Sequence, residues 1–213
     1  MIKSPHLKIF LLISYFICLV QITNAQNDNL EPKPGYFSSS QSETFYYPLV
    51  KKALFDSLGY NPDTRILVLP SFTNEYVVSI DTKNGITYLT YRIAKQQIWH
   101  NRKSKAFEYD QYKMAFDSSM ARKIHELLFL ATSKAQYPTG SKLIEDGTTY
   151  NFICFNIGVG IRSGKTKSTD GEKMKGLVEI TDWLVNCAKK GEILNIDNMT
   201  IVINNLIDNF KLN

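Results

Sequence analysis

The sequence predicts an α+β domain: a single antiparallel sheet with helices packed mainly on one face. Three observations carry this. Tyr76–Lys83, Asn84-Gly85 and Ile86–Lys95 read as a hairpin whose two arms alternate apolar and polar residues. Three later segments repeat apolar residues at helical spacing. The chain's 213 residues are 44% hydrophobic and 21% charged. That is ordinary for one soluble core, and it excludes wholesale disorder, a collagen-like repeat and a multispan membrane protein.

Residues 1–25 read as a secretory signal. Lys3 and Lys8 make a positive start, Ile9–Val20 is nearly all apolar, and Thr23-Asn24-Ala25 puts small residues at the −3 and −1 positions of a cleavage site. A run of this length is short of the roughly 20 residues needed to span a bilayer, so no integral span is expected after cleavage. Cys18 follows Tyr15-Phe16-Ile17, too bulky for a lipidation signal. Cleavage leaves 23 basic and 20 acidic side chains, a charge of +3. That mild excess argues for neither nucleic acid nor a membrane surface.

Residues 26–42, with Pro32, Pro34, Gly35 and Ser38-Ser39-Ser40, read as a flexible leader to a domain over 43–213. A first helix is expected over Thr44–Leu58, with Pro48 in its early turn and Gly59 as its stop. Arg65–Leu69 reads as a strand. In the hairpin, a two-residue Asn-Gly turn sets Lys83 opposite Ile86, hence Ile80 opposite Leu89, Val78 opposite Tyr91 and Tyr76 opposite Ile93. The last three pairs form the core face; Ser79, Asp81, Tyr88, Thr90 and Arg92 form a wetter one. Gln97–His100 and Ala106–Phe116 suggest a second hairpin around a basic turn. A helix capped by Asp117 or Ser118 buries Met120, Ile124, Leu127, Leu128, Ala131 and Ala135. Asp146-Gly147 marks a turn, Thr148–Ile157 a strand, Gly158 and Gly160 a bulge or bend, and Ser163–Gly171 a polar loop. Two helices close the chain, one burying Met174 to Ala188 and stopped by Gly191, the other over Asn198–Phe210.

Most familiar chemistries are missing from this pattern. Gly164-Lys165-Thr166 resembles the end of a phosphate-binding loop, but Val159 stands where the first glycine belongs. After cleavage the histidines are His100 and His125, with no H-x-x-x-H or C-x-x-C spacing, so no dedicated metal site and no cofactor are expected. Cys154 sits among β-formers, where a thiol is normally buried and inert, although a Cys154/His dyad stays open. No G-x-S-x-G elbow occurs, and Glu145-Asp146 suits a turn better than paired acid/base work. In an oxidising compartment a Cys154–Cys187 disulfide is permitted. The best functional hint is a pair of basic loops: Arg102, Lys103 and Lys105 beside Trp99, and Arg162, Lys165 and Lys167. On one edge of the sheet they would form a cationic patch for phosphate or carboxylate groups.

Asp146-Gly147-Thr148-Thr149-Tyr150-Asn151-Phe152, followed by Arg162-Ser163-Gly164-Lys165-Thr166 and the Leu177–Leu184 helix, resembles a class of small exported bacterial proteins of unknown function. The resemblance covers about the last third of the chain. It implies export and an α+β domain, and no activity. The expectation is therefore a non-catalytic binding or structural module of the envelope or secreted space. Its partner would be an envelope or secreted protein or an anionic surface polymer. The alternatives are a secreted hydrolase with an unrecognised site and a loop-type inhibitor of one.

Overall fold

The computed structural model describes residues 28–33, 43–59, 61–104, 106–137, 147–167 and 171–212. These form strands β1 (Glu31–Pro32), β2 (Thr64–Pro70), β3 (Tyr76–Lys83), β4 (Ile86–Ala94), β5 (Tyr109–Ala115), β6 (Thr148–Asn156) and β7 (Gly160–Thr166). The helices are α1 (Glu43–Leu54), α2 (Ser118–Ser133), α3 (Glu172–Lys190) and α4 (Ile196–Leu212). All seven strands join one antiparallel sheet in the order β1-β7-β6-β2-β3-β4-β5. The α+β class and the single antiparallel sheet are as the sequence predicts.

Asn84 and Gly85 have φ of 54° and 78°, the positive pair a type I′ turn requires. The β3–β4 register follows, with all four expected pairs in place. Ile80, Leu89, Val78 and Tyr91 lie buried on one face with Ile66, Val68 and Phe152. Helices α2 and α3 cover that face, and α4 packs on those two helices as an outer layer. Asp117 caps α2, its carboxylate accepting the Met120 N–H at 2.7 Å. Gly191 ends α3 in the left-handed region at φ 73°.

Several expectations are corrected. The opposite sheet face is not simply wet: α1 lies on it, and Val50, Leu54, Leu67, Val77 and Ile98 make a second, smaller core. Helix α1 stops at Leu54, four residues early, because Arg92 takes the Leu54 carbonyl and Ser57 turns to φ 60°. Gln97–His100 is a turn rather than a strand; β4 ends at Ala94 and pairs with β5 from Tyr109 onward. Gly158 and Gly160 (both φ 85°) shape a true turn between β6 and β7, so the first four residues of the expected polar loop, Ser163–Thr166, are strand.

The largest correction concerns the supposed leader, whose residues 28–33 are built into the domain. Asp28 caps α3, accepting the Lys173 and Met174 N–H groups at 2.9 and 3.1 Å. Leu30 is completely buried in the main core. Glu31 and Pro32 pair with Lys165 and Gly164 of β7. Lys33 reaches the opposite face, where its ammonium donates to the buried Asn151 and lies over the Tyr47 ring. The expected signal sequence, residues 1–25, lies outside the described residues.

Candidate functional site

The expected basic patch does not assemble. Arg102 and Lys103 lie in the β4–β5 connection, at one side of the sheet, whereas Arg162 and Lys165 lie on β7 near the other. Strands β6, β2 and β3 separate β7 from β4, about 19 Å at the usual strand spacing. Strand alternation divides β7 further. Arg162 stands over the Phe129 ring of α2, and its Nε is buried without a hydrogen-bond partner among the described residues. Lys165 points to the other face and pairs with Glu31 at 3.5 Å. Lys167 is exposed beyond the end of β7, and Lys105 lies outside the described residues.

Trp99 is 43% exposed, carries Arg102 over its ring, and packs edge-on against Tyr46. Its turn is held by Glu75, a fully buried carboxylate that no sequence pattern singles out. Glu75 accepts the Ile98 and Trp99 N–H groups at 2.8 and 3.1 Å and the Tyr46 hydroxyl at 2.7 Å. Burial first, and then that bond, push the Tyr46 phenol above its ordinary range.

Among the described residues no cysteine forms a pair with a histidine. Cys154 and Cys187 are both buried free thiols, not a disulfide. Cys154 Sγ lies 3.6 Å from Thr132 Oγ1, and Cys187 Sγ accepts the Leu194 N–H. Burial pushes both thiols up. His125 turns Nδ1 to the Asp63 carbonyl at 2.7 Å. It stands seven residues from Thr132, about 10 Å along the helix, which keeps it from Cys154. Among the described residues no group of three His, Cys, Asp or Glu is placed to hold a metal ion.

The sheet gathers a different set of cations. Register puts Asp81 opposite Tyr88, Thr90 opposite Lys113, and Arg92 opposite Gln111, all on the α1 face. With Lys83 and the Ser57-Leu58-Gly59 turn they surround an open cavity of about 340 Å³. Three adjacent strands thus supply one cation each: Lys83 from β3, Arg92 from β4 and Lys113 from β5. Arg92 is 3% exposed and fixed: Nε donates to Gln111 at 2.6 Å, Nη1 to the Leu54 and Asp56 carbonyls, and Nη2 to Ser57 at 3.0 Å. Its guanidinium also lies over the Tyr109 ring. Lys113 Nζ sits 4.0 Å above the Tyr88 ring.

The cavity's one acid is partly compensated. Asp81 accepts the Ser79 hydroxyl at 2.7 Å and faces Arg65 at 3.9 Å. Burial pushes the Asp81 carboxyl up, while Ser79 and Arg65 oppose that shift. Arg65 is itself buried, donating to Ser79 and to the Gly59 carbonyl. The basin therefore carries a net positive field with polar donors from Thr90 and the tyrosines. It offers no acid–base pair aimed at a common point. Chemically it can hold an anion. The signal that could have found it is the period-two polar face of the hairpin, extended by one strand.

On the helical face a second hollow, of about 560 Å³, lies between Phe72, Tyr76, Tyr91, Ile93, Val185 and Lys189. Tyr76, Tyr91 and Tyr112 form a row across β3, β4 and β5, with successive ring centroids 5.7 Å apart. Burial, with help from the neighbouring Tyr112 and Asp110, pushes the Tyr91 phenol up to about 12. Among the described residues no helix is long and apolar enough to cross a membrane. No family model, no curated protein and no solved structure matches this chain.

Proposed function

We propose that the chain is an exported, non-catalytic binding module of the envelope or secreted space, and that its basin holds an anionic group of its partner. One observation carries this reading. Lys83, Arg92 and Lys113 converge on one open cavity from three neighbouring strands, against a single carboxylate already bonded by Ser79. Cations placed one per strand by a rigid sheet need little reordering to meet carboxylate or phosphate oxygens. Arg92 is held to the end of α1 and positions the wall; Lys83 and Lys113 are the exposed arms.

The test is titration of residues 26–213 with polygalacturonate and with its uncharged methyl ester. The charged polymer should bind and the ester should not. Binding should weaken with added salt, because exposed charges are screened. Lys83→Glu with Lys113→Glu should lower affinity at least tenfold while the melting temperature stays put. Equal binding of ester and acid would refute the proposal.

The loop-inhibitor reading has its own observation. Ile157 is 90% exposed at the β6–β7 turn, with Val159 beside it. Loss of inhibition of a secreted protease on Ile157→Asp would favour it. The absence of inhibition across a panel of protease classes would end it.

A further inference from the structure

The two outer strands of the sheet are treated very differently. At one side the chain's own segment 28–33 closes β7, through β1, Leu30 and Lys33. At the other, β5 is seven residues long, largely exposed, and has no outer partner among the described residues. A long unguarded edge is a template for strand addition.

Hydrogen-bond alternation identifies which groups are left over. Ala94 N–H bonds back toward Glu75 on the β3 side, while Lys95 N–H bonds to Glu108 and Phe116 N–H to Thr87, across the β4–β5 pair. Residues 110, 112 and 114 therefore face β4, and the backbone groups of Gln111 and Lys113 face outward.

We infer that β5 receives an extended polypeptide segment as an eighth strand, with acidic and apolar residues alternating along it. The two faces of β5 specify that pattern. On the α1 face Gln111 and Lys113 border the cationic basin, so the added strand's side chains there meet those two residues. Acidic residues complement them. On the other face Tyr112, 37% exposed, stacks on Tyr91, and Met114 follows it. Apolar or aromatic residues complement those. The acid of β5 on that face, Asp110, is engaged by Lys95 at 3.8 Å. The inference rests on the anion-holding role of the basin and names the partner that uses it.

The experiment uses residues 26–213 and a blocked eight-residue peptide alternating glutamate and valine. Two further peptides carry N-methyl groups on the glutamate amides or on the valine amides. Only one set of amides faces β5, so one methylated peptide should lose binding at least tenfold and the other should bind within about threefold of the parent. Hydrogen exchange at the Gln111 and Lys113 amides should slow at least tenfold on binding. Tyr112→Ala should weaken the peptide and leave polygalacturonate unaffected. If both methylated peptides bind like the parent, or both fail alike, strand addition is wrong. If the peptide fails while polygalacturonate binds, this inference falls and the anion-binding module survives; if neither binds, both fall. If the chain alone dimerises with those amides already protected, the occupant is a second copy and the inference is overturned.

Discussion

Removing the Leu30 side chain tests whether the segment before α1 is leader or fold. Leu30 has no exposed surface, and its Cβ and Cδ1 lie within 2.9 and 3.0 Å of where a Gly164 side chain would start. The leucine thus fills the space that Gly164 leaves open. Truncating such a residue to alanine removes its transfer energy and leaves a cavity, about 2–5 kcal/mol together. In a domain of this size each kcal/mol moves the midpoint by about 2–4 °C, so Leu30→Ala should lower it by about 9 °C. Asp28→Ala removes a cap worth about 1 kcal/mol, or about 3 °C. A Cβ at Gly171 would collide with the Asp28 carboxylate, so Gly171→Ala should cost less in the Asp28→Ala background than alone. Thermal melts followed by circular dichroism, with urea titrations for the free energies, read all of this. If Leu30→Ala and a deletion through Lys33 both melted within 1 °C of the parent, the segment would be a passive leader and the argument would fail.

Asp117→Ala should cost about 1 kcal/mol at neutral pH as a lost cap. The Ser119 hydroxyl and the Met120 N–H hold the Asp117 carboxyl below its usual range, so its contribution is present above about pH 3.9 and lost as pH falls through the lower, folded value. Variant and parent stabilities should therefore converge in acid, and a gap unchanged at pH 2 would contradict the sign. Cys154 and Cys187, buried with raised thiols, should resist a thiol reagent in the native protein and both react after unfolding without reductant. Silence after unfolding would mean a disulfide. Glu75→Ala should leave the Ile98 and Trp99 N–H groups unsatisfied, costing about 1–3 kcal/mol per orphaned donor. Trp99 fluorescence should shift to the red, and an unshifted spectrum would show that Glu75 does not hold the turn.

What could be read in advance was what short-range chemistry fixes. Asn84-Gly85 determines its turn type, the turn determines the register, and the register sorts every side chain of β3 and β4. Asp117 and Gly191 mark their helix ends by local capping alone. What could not be read depends on distant partners. The Asp28 cap reaches across 145 residues of chain, and polar, proline-bearing composition around it looks like any linker. The Trp99 turn takes its shape from Glu75, whose burial no local pattern announces. Gly158 and Gly160 punctuate a strand in the same way whether they bend it or reverse it, and only pairing with β7 decides.

The cationic basin illustrates the same physics more sharply. Charges that are neighbours in sequence looked like a patch because clustering along the chain is easy to see. On a strand, however, positions three apart point to opposite faces, so Arg162 enters the helical core while Lys165 turns to Glu31. Lys83, Arg92 and Lys113 are 9 and 21 residues apart in sequence, yet register brings them to one cavity. Charge in a sheet protein is therefore gathered by parity and strand order, not by runs. Since β5 contributes both a wall of that cavity and, among the described residues, an edge without an outer strand, a segment that paired with the edge would lie beside Lys113, which couples backbone recognition to charge selection.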